Sequence, residues 1–532
     1  MRAYARRRSP VTDGDARSVY YAGTMASLLE RLADPGFTPS VKQLDELLGL
    51  VLGEEEAATI ARKALLKIER QYAERVLEAT VTAARAATRP GRGRLTGIVA
   101  ALVKTEDKSG LGLAWLLEAI SDEDAKTRRA AARGLGNLDR SPEITAALGA
   151  AFDAATNEED KRGLALSLAK VGDARARSQD FGRATVIAER EEARQAPAEI
   201  DLDGAMQLPV WFHVRSGLEP IAKDEIGGGR LVSPGILETT VALRKAVAVR
   251  TAMHVGFPMK VRPWKKELPE ETISALTEAL PLLQAFTKTD GPIRFRLALD
   301  ATSAVLWRIA ELVRAEIPGL VNDPKESTWE VVVITVGNKG NGSFRLELVP
   351  RGFADERFTY RKATVPASSH PTVAAALARV VPRSDKDVIW DPFAGAGAEL
   401  VERAKLGPFE RLLGTDTDPK ALAAARTNLG HAGFEATLTE ADATTFETRA
   451  NVIITNPPMG RRVERGGHAD LLERFASHAA RVLPPGGSLV WLVPAPTKRI
   501  HDRAASAGLL LERSTSIDMG GFSAELSVHK KA

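Results

Sequence analysis

From about residue 20 to 178 the apolar positions recur at helical spacing, in a background of Ala, Leu, Arg and Glu with hardly any β-branched run. The pattern predicts helices throughout. Two stretches repeat each other weakly: "DEDAKTRRAAARGLGNL" (122–138) and "NEEDKRGLALSLAKVGD" (157–173) both open acidic and close on small residues. Leu102, Leu135 and Leu168 recur at intervals of 33, and Leu65 lies 37 before Leu102. A single helix pair cannot bury its apolar face alone, so units of this length must stack on neighbours. A stacked array is expected over 20–178, with an ordinary helical bundle as the competing reading. The charged stretch 174–204, with "EREEARQAPAEIDLDG", breaks the pattern and reads as a linker or a fraying helix.

Near 208 the period changes. "LPVWFHVRSGLEPIAKDEI" is an apolar strand, then Gly217, then a helix with an apolar face. "ILETTVAL" and "IRFRLALD" read as strands. In the second, Phe295, Leu297 and Leu299 face one way, and Arg294, Arg296 and Ala298 the other. The helix "TSAVLWRIAELVRAEI" and the strands "WEVVVITV" and "SFRLELVP" complete a small α/β block. Beyond 388 strands and helices alternate, from "DVIWDPF" and "AGAGAELVERA" to "NVIITNPP" and "GSLVWLVPA". That alternation predicts a parallel, doubly wound sheet.

At 532 residues and 44% apolar composition, the chain has room for three or four cores at roughly 150 residues per domain. A net charge of +4 and a pI near 9.1 permit a nucleic-acid partner without demanding one. The absence of cysteine excludes disulfides, thiolate metal sites and cysteine nucleophiles, and it fits a reducing, cytoplasmic compartment. The eight histidines show no metal-ligand spacing, so no metal is expected. The Arg-rich start (1–19) has no apolar stretch behind it and reads as a basic, disordered tail rather than a secretory signal.

Ligands of doubly wound sheets bind at the C-terminal strand ends. Asp391, Asp416, Asp442 and Asn456 all fall there. One of them could be a helix cap; four together point to a site. The turn "DPFAGAG" brings Pro392, Phe393, Ala394, Gly395 and Gly397, with Leu400 where a dinucleotide fingerprint wants its third glycine. Asp416 lies 19 residues beyond Gly397, a distance suited to ribose hydroxyls. A carboxylate at the first strand end repels a pyrophosphate and attracts the α-ammonium of S-adenosylmethionine. Asp442 is then placed to accept from the adenine amine.

The stretch "NPPM" (456–459) suggests the reaction. An exocyclic base amine is a weak nucleophile because its lone pair is delocalised into the ring. Two acceptors aimed at its N–H groups favour the pyramidal, nucleophilic form. The side-chain oxygen of Asn456 and the carbonyl of Pro457 can be those acceptors, and Pro457 and Pro458 bias the backbone toward extended geometry. Three basic patches suggest nucleic acid: Lys260, Arg262, Lys265 and Lys266 around Trp264, the pair Arg294 and Arg296, and "RFTYRK" with Arg357, Tyr360 and Arg361. Each patch alone reads equally well as ordinary solvated charge.

These motifs carry a resemblance. "IPGLVNDPKESTWEVVV" followed by "ERFTYRKATVPASSHPTVAAALA" resembles a THUMP domain leading into a methyltransferase, with "VWFHVRSGLEPIAKDEI" similar to the ferredoxin-like opening of such proteins. "NPPM" resembles the (D/N)PP(Y/F/W) motif of amino-methyltransferases, with Met459 in place of the aromatic that stacks on the base. Ser368, Ser369, His370 and Pro371 resemble the helix start that lines the cofactor site, and "DMGGFSAELSVHKK" the closing hairpin. The helical array resembles HEAT repeats. The resemblance implies a basic tail (1–19), HEAT-like repeats (20–178), a linker (179–206), a ferredoxin-like and THUMP RNA-binding region (207–365) and a Rossmann-like methyltransferase domain (366–532). It also implies an S-adenosylmethionine-dependent methyltransferase acting on guanine N2 in structured RNA, most often tRNA near the acceptor stem, with a protein partner for the helical repeats. Ribosomal RNA, DNA adenine N6 and a non-catalytic RNA-binding scaffold are the alternatives.

Overall fold

The computed structural model describes residues 28–32, 37–68, 72–204, 206–263, 268–336, 342–366, 368–458, 467–494 and 497–532. The basic start, Trp264, Lys265, Lys266 and Met459 lie outside these residues. The chain divides into two compact units, Met1–Ala196 and Pro197–Ala532. Among the described residues, no helix is long and apolar enough to cross a membrane.

The first unit is helical: α1 (Leu44–Leu52), α2 (Glu55–Leu65), α3 (Ala73–Ala86), α4 (Gly91–Glu106), α5 (Leu111–Ala119), α6 (Ala125–Leu135), α7 (Pro142–Ala154), α8 (Glu158–Lys170) and α9 (Arg183–Ala193). Side chains cap the starts of α6, α7 and α8: Asp124, Ser141 and Asn157 accept from the backbone amides of Thr127, Ile144 and Asp160. Alternate helices stack, α4 on α6 and α6 on α8. Leu65, Leu135 and Leu168 are buried in one core, and Leu102 packs against it from a partly buried position. The segment read as a linker or a fraying helix contains α9, a packed helix whose Ala184, Val186 and Ala188 are buried. Its charges lie between these apolar positions, so net composition hid a packed helix.

The second unit holds two large sheets. The first, nine-stranded, runs β3 (Arg230–Ser233), β4 (Ile236–Val241), β2 (Leu208–His213), β5 (His254–Pro258), β11 (Ser343–Pro350), β10 (Trp329–Val336), β8 (Ile293–Ala298) and β9 (Leu320–Asn322), with β6 (Arg262–Pro263) added to β11. A small pair joins β1 (Ala198–Ile200) to β7 (Thr287–Thr289). Helices α10 (Glu219–Ile226), α11 (Leu243–Val247), α12 (Leu268–Ala285) and α13 (Ser303–Glu316) accompany these strands. Phe212, Phe257, Phe295, Trp329 and Phe344 fill one core with them.

The last sheet has seven strands in the order β14 (Thr437–Glu440), β13 (Arg411–Asp416), β12 (Val388–Asp391), β15 (Val452–Thr455), β16 (Ser488–Pro494), β18 (Ser523–Lys531), β17 (Leu509–Asp518). The first five run parallel; β18 and β17 form the antiparallel hairpin at the edge. Between them run α14 (Pro371–Arg379), α15 (Ala398–Ala404), α16 (Pro419–Ala432), α17 (Gly467–Val482) and α18 (Lys498–Ser506). Four-residue runs such as "VIIT" are fully buried because helices cover both faces. Chain order reverses between β12 and β15, the switch point where such sheets bind ligands.

The two sheets are tied within the unit by buried ion pairs. Arg250 forks onto Glu402 of α15 through two bonds of 2.7 Å, and Tyr360 donates to the same carboxylate. Arg379 pairs with Glu225 at 2.7 Å.

Candidate active site

A cavity of about 510 Å³ opens at the C-terminal ends of β12, β13, β14 and β15. A larger groove, about 830 Å³, lies among the alanine-rich helices of the first unit, but no convergent strand ends meet there.

The turn after β12 forms one wall, from Pro392 to Ala396. Gly397 adopts φ +79° and leads into α15, a left-handed conformation that side chains rarely take. The amide of Gly395 donates to Asp416 Oδ2 at 2.9 Å, so the end of β13 holds the turn. Asp416 lines the cavity, and its other oxygen accepts from the amide of Asp418. Asp442 lines it too. The amide and hydroxyl of Thr444 both donate to Asp442 Oδ1 and hold its carboxyl below the usual range.

Asp391 lies deeper than expected. It is fully buried and is not on the cavity wall. Its Oδ1 accepts from Thr455 Oγ1 at 2.7 Å and from the amide of Phe393, while its Oδ2 has no partner among the described residues. Glu399, in the first turn of α15, does line the cavity although only 4% exposed. Burial pushes both carboxyls up, and the charge of Glu399 pushes Asp391 up further. Two desolvated carboxyls in one corner call for a cation.

Asn456 follows β15 and lines the cavity with Pro458, while Pro457 is buried. Asn456 Nδ2 donates to Ser369 Oγ at 2.8 Å, and Ser369 Oγ donates onward to Glu399. With Glu399 ionised, the hydroxyl spends its one proton on the carboxylate and accepts from the amide. The amide is thereby fixed with Nδ2 on Ser369 and Oδ1 without a partner among the described residues. His370 caps α14: its Nδ1 accepts from the Thr372 amide, the helix-entry role the motif suggested. Asn428 of α16 uses its whole amide as a clamp. It accepts from the amides of Lys362 and Ala363 and donates to the carbonyls of Ala363 and Ala396.

Sequence reasoning placed Ser369 at the helix start that lines the cofactor site, but missed Glu399, Thr455 and Asn428 as working parts. Thr455 and Glu399 are polar residues inside otherwise apolar runs, which was the available signal. Nothing local marks Asn428.

The basic patches fare unevenly. Lys260 is exposed. Arg262 bonds Ser274 and pairs with Glu278 at 2.8 Å. Arg296 pairs with Glu330 at 2.7 Å. Arg294 is buried and donates to the Glu326 carbonyl, so it offers no free charge to a phosphate. Arg357 is held by Asp355 and by the carbonyls of Val249 and Ala252. Tyr360 is only 3% exposed, with its hydroxyl on Glu402, and presents no ring for stacking. Arg361 lines the strand-end cavity instead.

Residues 359–508 match the family model "UPF0020: RMKL-like, methyltransferase domain". That segment is a methyltransferase domain. S-adenosylmethionine is its methyl donor, and the residues on the wall fit it: the buried carboxyl of Glu399, with Asp391 behind the wall, for the ammonium, Asp416 for hydroxyls, Asp442 for an amine. Among curated proteins the chain is similar to "U6 snRNA (guanine-N(2))-methyltransferase THUMPD2" of Bos taurus. The two are 27% identical over 31% of this chain and 34% of that one. It is also similar to "tRNA (guanine(6)-N2)-methyltransferase" of Archaeoglobus fulgidus, 27% identical over 31% of this chain and 48% of the relative. The chain thus spans about a third to a half of the length of these relatives. Among solved structures it is similar to TrmN from Thermus thermophilus, with a TM-score of 0.49 and 24% identity over 61% of this chain and 99% of that one.

Proposed function

We propose that this protein transfers a methyl group from S-adenosylmethionine to the exocyclic N2 amine of a guanosine in structured RNA, with tRNA near the acceptor stem as the first candidate. The observation that carries the reading is Asn456, an oriented amide whose Oδ1 lacks a partner among the described residues, beside a cavity lined by the buried carboxyl of Glu399. Asn456 Oδ1 and the Pro457 carbonyl accept from the two amine hydrogens and hold the nitrogen pyramidal. Ser369 and Glu399 position Asn456. The amine attacks the donor methyl, the methyl–sulfur bond breaks, and the extra proton leaves once nitrogen is alkylated. The base must leave its stack to reach this site. Arg361, on the cavity wall, suits the donor's carboxylate. Guanine is favoured because both curated relatives carry guanine N2 in their names.

The nine-stranded block, residues 207–365, serves in this reading as the ferredoxin-like and THUMP module that holds the RNA. Lys260 with Trp264, Lys265 and Lys266 is the patch through which it meets the phosphates. The helical unit is a HEAT-like array for a protein partner in the cytoplasm. For the repeat reading, Arg92 of α4 pairs with Asp122, just before α6, and Arg129 of α6 pairs with Asp160 of α8, contacts recurring at 30 and 31 residues.

The test is methyl transfer from labelled donor into total RNA of a strain lacking the gene, followed by nucleoside analysis. N2-methylguanosine in the tRNA fraction is the expected result. Label confined to small nuclear or ribosomal RNA would move the substrate, and no transfer to any RNA would overturn the reading.

A further inference from the structure

The nine-stranded sheet contains a cluster unrelated to the strand-end cavity. His213 ends β2 and His254 begins β5, paired directly across the antiparallel ladder. Their rings stack at 4.1 Å. From β11, Glu347 reaches His213 Nε2 at 2.6 Å, although it is only 1% exposed. It gets there by lying across Gly256, where a Cβ would stand 2.1 Å from its Oε1. One ligand-type atom from each of the three residues lies within 4.8 Å of the others. Arg351 is held by Glu330 at 2.7 Å.

The position has a mechanical meaning. Strands β2 and β5 belong to the first half of the block and β11 to the second. The ladder between β5 and β11 has two paired positions, Glu347 with Pro258 and Leu348 with Phe257. The cluster sits over this thin seam.

We propose that His213, His254 and Glu347 bind a divalent transition-metal cation of the zinc class, which staples the seam between the two halves of the sheet. Two imidazoles and a carboxylate are a ligand set for zinc, with one position left open. At bond lengths of about 2.0–2.1 Å, tetrahedral ligand atoms stand roughly 3.4 Å apart, so on binding the 2.6 Å contact between His213 and Glu347 opens while His254 draws in. The exposed His254 turns out of its stack to do so.

The experiment uses the full chain without a histidine tag, Co²⁺ titration followed by visible absorption, and Zn²⁺ content measured after dialysis. One equivalent is expected. His254→Asn and Glu347→Gln should each weaken Co²⁺ binding by about tenfold or more, while His431→Asn, away from the cluster, leaves it unchanged. Chelation should speed amide exchange in β5 and β11 of the wild type and not of His254→Asn. His254 is exposed, so that variant decides the matter even where Glu347→Gln fails to fold. No uptake above buffer, or uptake equal in His254→Asn and wild type, overturns the proposal.

Discussion

Asn456 is the residue on which the chemistry turns. Truncating one preorganised polar contact to a reacting group costs about 10²–10³ in turnover. Asn456→Ala should therefore lose turnover on that order while donor affinity, measured by calorimetry, changes little. Ser369→Ala should lose less, because the amide survives but is free to flip; a loss as large as that of Asn456→Ala would mean Ser369 acts on substrate directly. Glu399 gives a pH prediction. Its native carboxyl and that of Asp391 are raised above their ordinary values of 4.5 and 3.8. The native state thus binds more protons than the unfolded chain, and stability falls as pH rises through that window. A cationic donor prefers the ionised pair, so its affinity should climb as pH rises from ordinary carboxylate values. In Glu399→Gln the climb should flatten. A donor affinity with the same pH slope in both proteins would remove Glu399 from the ammonium site. Asp416, Asp442 and Asn456 were legible because each is a polar residue at the C-terminal end of a readable strand. Glu399 and Asn428 were not, because their roles depend on what the fold brings against them across helix surfaces.

At the scale of elements, "RFTYRK" shows how composition misleads. Its aromatic and two of its cations read as an RNA surface, yet Tyr360 and Arg357 are interior ties. With Arg250 and Glu402 they lock the segment entering the methyltransferase domain onto α15, directly behind the cavity's glycine turn. Glu402 is fully buried, so removing its guanidinium leaves an uncompensated charge. Arg250→Ala should cost about 3–5 kcal/mol of stability by denaturant titration. Arg250→Ala with Glu402→Gln should recover much of that loss, whereas a double variant as unstable as the single one would mean the fork carries little. Strand and helix order was readable from periodicity. The partners of each charge were not, because pairs such as Arg250 and Glu402 lie 152 residues apart. The histidine–glutamate cluster was hidden the same way: no local spacing links positions 213, 254 and 347 until strands pair them.

For the whole molecule, the governing fact is that each unit has its own core. One apolar cluster spans Leu28 to Ala188, and three others lie between Ile200 and Val528. Every residue assigned to the cavity belongs to the second unit. A chain of residues 197–532 should therefore fold and bind S-adenosylmethionine within about twofold of the full-length affinity, since domains with separate cores unfold independently. The full chain should show two calorimetric transitions, of which donor stabilises only one, because ligand acts on the unit that binds it. RNA methylation separates two roles for the helices. If they serve a protein partner, the shortened enzyme methylates free RNA at the full-length rate. A fall in kcat/KM at unchanged donor affinity would instead place the substrate on the helical array, and with it the groove of about 830 Å³ between the alanine-rich helices. That groove is lined by Arg128, Arg129 and Arg133 together with Glu123, Glu159 and Asp160. A phosphate backbone would meet acids there as often as bases, so the unchanged rate is the expected outcome.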